Sequence, residues 1–281
     1  MTAGVFAMVL GAALLHAVWN ALVKVNVDRM IMVATMMISQ AAVSILIVPF
    51  VEPPTAEAWP CILASTVLLT GYFVFLLLAY RHGDLSHVYP ISRGSAPLIV
   101  AVLSAGFVGE TLSSQATLSV VLIGIGIMSL TLTRGASGFR EPKTILYALG
   151  AGVFIAAYTI VDGLGARLSA SAHSYIFWLN LFDGIPIILL ALYLHRGDAI
   201  AKFRASWRVG VLAGMASLFA YWIVLWAMTQ APIALVSAVR ETSMIFAVLF
   251  GVFFLRERLD LARLASTAVT LAGAVLLKTS K

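Results

Sequence analysis

Apolar residues run in long stretches along most of the chain, and short polar segments separate them. A helix that crosses the hydrocarbon core of a bilayer needs about 20 mostly apolar residues. Ten stretches have roughly that length, at 3–23, 30–51, 58–80, 88–109, 112–133, 144–164, 174–194, 208–229, 233–255 and 261–278. The pattern therefore predicts ten transmembrane helices, joined by loops that are mostly too short to hold a separate domain.

Composition agrees with this pattern. Of 281 residues, 62% are hydrophobic and only 11% are charged, which leaves too little polar surface for a water-soluble globule. We predict an all-α integral membrane protein whose partners are the lipid bilayer and a small-molecule substrate, either as a monomer or as a homodimer. The net charge of +6 comes mainly from loop residues and does not indicate nucleic-acid binding. With a single cysteine, Cys61, and no Cys/His cluster at metal-ligand spacing, we expect neither a metal nor a cofactor.

The chain contains an internal repeat. The segment AYRHGDLSHVYPISRGSAPLIVAVLSAGFVGETLS aligns with AMTQAPIALVSAVRETSMIFAVLFGVFFLRERLD when one residue is inserted in the first copy. Arg93 then falls on Arg240, and Glu110 falls on Glu257, both at an offset of 147. The first and sixth spans correspond at an offset of 142, which pairs His16 with Tyr158 and Asn20 with Asp162.

Two halves follow from the repeat, residues 1–137 and 138–281, each with five spans. Because five is odd, the second half enters the membrane from the side opposite to the first. We therefore predict two inverted five-helix repeats. Inverted repeats place a substrate site near the midplane between the halves, and rocking of one half against the other gives alternating access.

The chain resembles the ten-span EamA-type members of the drug/metabolite transporter superfamily along nearly its whole length. The motifs that carry this resemblance are Glu110-Thr111-Leu112, Glu257-Arg258-Leu259 and the pair Trp19-Asn20. The resemblance implies transport of amino acids, nucleotide precursors, sugars or other small metabolites, and leaves the cargo open. The opening LLHAVWNALVK is also similar to a subgroup associated with phosphonate utilisation.

Loop charges predict the orientation in the membrane. Thirteen of the 18 Lys and Arg residues follow odd-numbered spans, three lie on the other side, and two lie within spans. The positive-inside rule then places both termini outside the cytoplasm, although eukaryotic members of the superfamily keep both termini in the cytosol. We expect a multi-pass protein of the cell membrane, specifically a bacterial inner membrane.

Arg240 and Arg93 are the strongest candidates for a substrate site. A charge at the centre of a spanning helix costs roughly 2.5 to 3.5 kcal/mol, so such residues usually face a wet cavity or a partner. Paired N–H donors of a guanidinium suit a carboxylate, phosphate or phosphonate. Two simpler alternatives exist: Arg240 could snorkel to the interface, and Pro90 and Pro97 could leave Arg93 in a loop.

Glu241 follows Arg240 directly, so on a regular helix the two side chains project about 100° apart. We therefore expect Glu241 to have a different role. It could pair with Arg93 across the repeat, carry a coupling proton, or bind an ammonium group of the cargo. A structural ion pair with either arginine is the alternative.

Five aromatic or polar side chains complete the predicted substrate site. His16, Trp19 and Asn20 share one face of the first span, and Tyr158 is the repeat equivalent of His16. Trp222 is included as an aromatic wall of the cavity. His16 titrates near neutral pH and is therefore a proton-coupling candidate as well. Packing and interhelical hydrogen bonds are the alternative roles for all of them.

Asp183 lies in the middle of the seventh span, with no basic residue within ten positions. Burial without a basic partner favours a protonated carboxyl, which suits proton coupling, and a structural hydrogen bond is the alternative. Asp162 lies near the end of its span and is expected to be a solvated interfacial carboxylate.

Together these residues predict a secondary transporter, and not an enzyme, for a small polar metabolite with an anionic group: an amino acid, an organic acid or a phosphonate. Proton linkage is expected because no nucleotide-binding motif is present. The first alternative is an exporter of cationic or amphipathic compounds that uses Glu241 and Asp183. Minor alternatives are an intramembrane aspartyl hydrolase, with Asp162 and Asp183 as its pair, and a structural membrane subunit.

Overall fold

A computed structural model of the chain describes residues 1–24, 28–83, 85–131, 141–253 and 261–279. Over these residues all regular secondary structure is helical. The helices are α1 (Ala3–Lys24), α2 (Arg29–Ile47), α3 (Trp59–His82), α4 (Leu85–Leu103), α5 (Ser114–Ser129), α6 (Pro142–Leu168), α7 (Ala172–Leu194), α8 (Ala199–Gln230), α9 (Ile233–Glu241), α10 (Ser243–Phe253) and α11 (Leu261–Thr279). A 3₁₀ turn at Val48–Phe50 continues α2, and a π turn at Ser104–Val108 continues α4.

The helices confirm the predicted class of an all-α membrane protein. Within the described residues, nine spans are long and apolar enough to cross a membrane, counting α9 and α10 as one, and α5 is a shorter apolar helix of 16 residues. The eighth span begins at Ala199, before the predicted start at 208, because Lys202, Arg204 and Arg208 extend the helix beyond its apolar part.

The two halves interlock through reciprocal helix pairs. Helix α3 of the first half packs on α6 of the second, and its equivalent α8 packs on α1 in the same way. Likewise, α2 packs on α8, and its equivalent α7 packs on α3. Helix α4 contacts α6, while α9 and α10 contact α1. Equivalent helices also meet each other, α2 with α7, α4 with α9, and α5 with α11. These exchanges are what a pseudo-twofold axis between inverted repeats produces.

Small residues allow the closest of these contacts. Gly126 of α5 faces Thr270 of α11, and a Cβ added to Gly126 would lie 2.4 Å from Thr270 Oγ1 and 2.8 Å from its backbone nitrogen. Close approach of this kind is how membrane helices associate when lipid supplies little hydrophobic drive.

Candidate functional site

A cavity of about 920 Å³ lies between the two halves. Every helix from α1 to α4 and from α6 to α10 contributes to its wall. The charged or amide-bearing residues on the wall include Asn20, Arg93, Asp162, Asn180, Asp183 and Arg240. A polar chamber inside an apolar bundle is the kind of site that a carrier of a polar solute needs.

The cavity opens at one end only of the described bundle. Helix α1 lines it from His16 to Val23, and α2 lines it from Arg29 to Gln40. Arg29 is exposed, so the cavity reaches the surface where α1 ends and α2 begins. The first half of α1 is packed instead, with Val5 and Val9 buried in the main hydrophobic core.

Arg93 and Arg240 meet at one carboxylate. Arg93 donates from Nη1 to Glu241 Oε1 at 3.4 Å, and Arg240 donates to the same oxygen from Nε at 3.2 Å and from Nη2 at 2.9 Å. All three residues are buried: Arg93 is 4% exposed, Arg240 is 3% exposed and Glu241 is 1% exposed. Both arginines line the cavity, whereas Glu241 lies behind them and is not part of its wall. At this part of the wall the guanidinium groups, and not the carboxylate, therefore face the cavity.

The contact between Arg240 and Glu241 corrects the expectation that neighbouring side chains point apart. Helix α9 ends at Glu241, and the chain makes one tight turn before α10 begins. Thr242 donates its backbone N–H to Val239 at 3.0 Å, and Ile245 donates to Thr242 at 2.9 Å, both in the i to i−3 pattern of a 3₁₀ turn. The predicted continuous span 233–255 is thus broken at the ion pair. Broken helices at midplane depth are typical of transporter sites.

Arg93 lies inside a helix, which contradicts the alternative of a loop position. Helix α4 continues through Pro90 and Pro97. The Arg93 guanidinium lies 5.5 Å from the centre of the Tyr89 ring, within the range of a cation–π contact. Its Nε is buried and has no hydrogen-bond partner among the described residues. Snorkelling of Arg240 is likewise contradicted by its burial in the ion pair.

His16, Trp19 and Asn20 lie together on the cavity wall, on the shared face that was predicted. The rings of His16 and Trp19 meet edge to face at 4.9 Å. Asn20 donates to the backbone carbonyl of His16 at 2.8 Å and accepts from Tyr89 Oη at 3.3 Å. His16 Nε2 and Trp19 Nε1 are buried without a partner in the described structure.

Tyr158 also lines the cavity, and its ring meets Tyr72 at 6.3 Å. Trp222 does not line it. Its neighbour Tyr221 faces the cavity, and adjacent positions on a helix project about 100° apart. Trp222 consequently packs away from the site, with ring contacts to His173, Phe177 and Phe219. Its assignment as a cavity wall is wrong.

Asp183 and Asp162 form the acidic part of the wall. Asp183 accepts a hydrogen bond from Thr66 Oγ1 at 3.0 Å. Asp162 is 1% exposed and accepts hydrogen bonds from Tyr175 Oη at 2.9 Å and from Tyr221 Oη. The expectation of an interfacial Asp162 is therefore wrong. Its repeat equivalence to Asn20 was the signal that placed it on the cavity.

Comparison with known proteins identifies this bundle. The sequence profile of the EamA-like transporter family matches residues 3–132 and 142–279. The chain belongs to the EamA-like transporter family. It is similar to an uncharacterized transporter of Archaeoglobus fulgidus, at 25% identity over 212 residues that cover 72% of this chain and 73% of that protein. A protein of Pseudozyma antarctica with the name MFS-type efflux pump is 27% identical over 193 residues, 64% of this chain and 35% of its own length. A solved crystal structure shares the fold, with a TM-score of 0.78, 17% identity and 99% coverage of both chains.

One of the motifs that resembles the EamA family closes the end of the bundle opposite the opening. Gly109 adopts a left-handed conformation with φ 73° after the π turn, and Glu110 follows it. Glu110 accepts from the Ile233 backbone N–H at 2.9 and 3.1 Å, so it caps the start of α9. It also accepts from Arg167 Nη2 at 2.6 Å. The repeat equivalent, Glu257, lies outside the described residues.

Arg167 extends this clamp to the end of α8. Its Nε donates to the Met228 carbonyl at 2.8 Å, and its Nη2 donates to the Ala231 carbonyl at 3.0 Å. Glu110 and Arg167 therefore connect the end of α4 with the end of α6 and with the junction between α8 and α9. We call Glu110 and Arg167 the closing clamp, because they lie where the cavity does not reach the surface.

Proposed function

We propose that this EamA-like protein is a secondary transporter of a small polar metabolite with an anionic group, such as an amino acid, an organic acid or a phosphonate. The observation that carries this proposal is the arginine pair. Two guanidinium groups share one carboxylate, so this ion-pair cluster has a net charge of +1 on the wall of a chamber large enough for such a solute. An uncompensated buried charge is costly, and an anionic cargo offsets that cost.

Unpaired donors on the same wall favour an oxyanion. Trp19 Nε1 donates only, and Arg93 Nε also donates only. Both are buried without a partner among the described residues. These two atoms have almost no surface exposed to the chamber in this state, so an oxyanion would satisfy them once the Arg93 and Trp19 side chains turn toward it, whereas a cationic ligand offers them no acceptor. Leaving a buried donor unpaired costs about 1 to 3 kcal/mol.

We propose alternating access as the transport mechanism. The cavity opens at one end, and the closing clamp joins the helices at the other. The open end carries Arg29 and the other basic loops, so the positive-inside rule makes it the cytoplasmic end of a bacterial inner-membrane protein with both termini outside. Rocking of the halves then opens the opposite end.

Proton linkage is assigned to Asp183. Asp183 lines the cavity, and its carboxyl accepts a hydrogen bond from the neutral hydroxyl of Thr66. Asp162 lines the same cavity, and two carboxyls in one site shielded from water favour sharing a proton. Glu241 and His16 were the other candidates. Glu241 contacts two arginines and is not among the residues that line the cavity, so it is less suited to exchange a proton with the chamber.

Ligand-induced thermal stabilisation tests the proposed cargo class. Purified protein is heated with amino acids, organic acids, phosphonates and organic cations in turn. We expect at least one anion-bearing compound to raise the midpoint of unfolding of the wild type, and none to do so in Arg93→Gln or Arg240→Gln. Both variants must still fold, as judged by their helical circular dichroism. Undiminished stabilisation in both variants contradicts the proposed site.

The second candidate function is export of cationic or amphipathic compounds. Asp162 and Asp183 on the wall favour it, and the name of the Pseudozyma antarctica relative mentions efflux. The sequence predicted that such an exporter would bind its cargo through Glu241 and Asp183, but Glu241 lies behind the arginines and does not line the cavity. Stabilisation by organic cations alone, and its loss in Asp162→Asn, is the outcome that selects this function over anion transport.

A further inference from the structure

The two arginines differ in the donors that they have left for a ligand. Arg240 directs both Nε and Nη2 at Glu241 Oε1. Arg93 gives Glu241 a single donor, Nη1, and its Nε has no partner among the described residues. Glu241 is therefore held mainly by Arg240, at 2.9 and 3.2 Å, and only at 3.4 Å by Arg93, so the Arg93 guanidinium is the one less engaged by the acid. A guanidinium grips an oxyanion through its N–H donors.

The charges around this subsite limit what it can hold. The pair Arg93 and Arg240 carries two positive charges, and Glu241 cancels one of them. A singly charged anion therefore balances the subsite, whereas a doubly charged anion leaves a surplus negative charge. The same chamber is also lined by Asp162 and Asp183, and either of them in its ionised form repels the surplus charge further.

Side chains that line the chamber together with Arg93 complete a subsite for oxygen atoms. His16 is one of them, and its ring meets Trp19 edge to face. Trp19 Nε1 is a donor that no described residue accepts. Arg93, Trp19, Asn20 and Tyr89 all line the chamber. This arrangement supplies hydrogen bonds to an oxyanion without adding a second uncompensated charge.

Building on the anion transport proposed above, we infer that the chamber selects a singly charged oxyanion over a doubly charged one, with Arg93 as the residue that grips it. Arg240 is a positioning residue that fixes Glu241. The cargo class is thus narrowed to monocarboxylates and other monoanions, and phosphonate dianions are disfavoured.

Two probes of matched shape separate charge from geometry. Ethanesulfonate and ethylphosphonate have similar tetrahedral head groups and the same tail, and in buffer well above the second pKa of the phosphonate they carry one and two negative charges. Isothermal titration of the purified full-length protein gives the two dissociation constants. We expect the wild type to bind ethanesulfonate at least about tenfold more tightly, because one surplus charge a few ångströms from others in a partly buried site has an effect of that size.

Three variants locate the effect. In Glu241→Gln the subsite gains a positive charge, so ethylphosphonate should gain at least about tenfold relative to ethanesulfonate. The double variants Arg240→Gln/Glu241→Gln and Arg93→Gln/Glu241→Gln each keep one arginine and no acid, and therefore have the same net charge. The first should bind ethanesulfonate within about threefold of the wild type, and the second at least about tenfold more weakly.

The outcomes separate this inference from the proposed function. Equal or tighter binding of ethylphosphonate by the wild type overturns the charge selectivity and leaves anion transport standing. Equal binding by the two double variants overturns the assignment to Arg93 alone. If no anion of any charge binds the wild type, both proposals fail. Should Glu241→Gln not fold, the two double variants, which leave no unbalanced second arginine, still decide which arginine grips the anion.

Discussion

Single residues set the electrostatics of the chamber, and Glu241 has the largest effect. Its Oε1 accepts hydrogen bonds from both arginines, although one of them is its neighbour in the sequence. The sequence indicated the buried arginines and allowed for a pair between Glu241 and Arg93. It could not indicate that Arg240 turns onto Glu241, because that contact depends on where α9 ends. The sequence alone favours Arg240, because its span lacks the prolines that flank Arg93, whereas in the structure Arg93 is the arginine less tightly held by Glu241.

Asp162 offers a test of stability at the residue scale, because its carboxyl accepts hydrogen bonds from the hydroxyls of Tyr175 and Tyr221. In Asp162→Ala both hydroxyls lose their acceptor, and we expect the free energy of unfolding to fall by about 2 kcal/mol or more. Asp183→Ala is the matched control. Among the described residues, this change removes the acceptor of Thr66 alone, whose hydroxyl also donates to the Ile62 carbonyl at 3.1 Å. The free energy of unfolding should therefore fall by less than in Asp162→Ala. Thermal unfolding followed by tryptophan fluorescence measures both, and equal losses contradict the buried hydrogen bonds of Asp162.

The helices show how far apolar patterning determines the fold. All ten predicted spans correspond to helices, because length and hydrophobicity alone decide whether a segment can cross a bilayer. The pattern missed the early start of α8, where Lys202, Arg204 and Arg208 are polar but still helical. It also missed the break at Thr242, because no proline or glycine lies there. At the break the Thr242 hydroxyl donates to the Val239 carbonyl at 2.6 Å, a local contact of the kind that bends helices but that many helical threonines make without a break.

Helix α5 and its equivalent α11 provide a prediction about packing. We expect Gly126→Ala to destabilise the protein by about 1 to 3 kcal/mol, because the new methyl group meets Thr270 at 2.4 Å. Gly11→Ala is the control, since no atom lies within 4 Å of an added Cβ there. Thermal unfolding in the same detergent compares them. A Gly126→Ala protein as stable as Gly11→Ala would mean that α5 and α11 do not pack this closely.

The closing clamp predicts a change in accessibility at the end of the bundle where the cavity is shut. Glu110→Gln weakens the pair with Arg167 and the cap of α9. In a Cys61→Ser background, a cysteine placed at buried Leu235 should react several-fold faster with a membrane-impermeant maleimide when Glu110→Gln is added. Glu57→Gln, a change at an exposed residue between α2 and α3, should leave the rate unchanged. An unchanged rate in Glu110→Gln means that the clamp does not keep this end shut.

At the scale of the whole molecule, the inverted halves enclose a chamber in which the arginine pair lies on α4 and α9, Arg29 and Arg263 lie on α2 and α11, and the acidic residues lie on α6 and α7. This separation allows cargo and proton to bind on different walls. We expect transport by Asp183→Asn to continue down a substrate gradient and to become independent of a pH gradient. Fluxes in proteoliposomes with and without an imposed pH gradient measure this. Retained proton dependence moves the coupling to His16 or Glu241.

Counterflow in proteoliposomes tests the central claim most directly. Vesicles that contain purified protein are loaded with an unlabelled organic anion from the stabilisation screen, and the uptake of the same labelled anion is followed. We predict transient accumulation in wild-type vesicles and none above protein-free vesicles for Arg93→Gln, at equal amounts of folded protein. Accumulation by Arg93→Gln at the wild-type rate, or exchange of organic cations only, would contradict an anion site at the arginine pair.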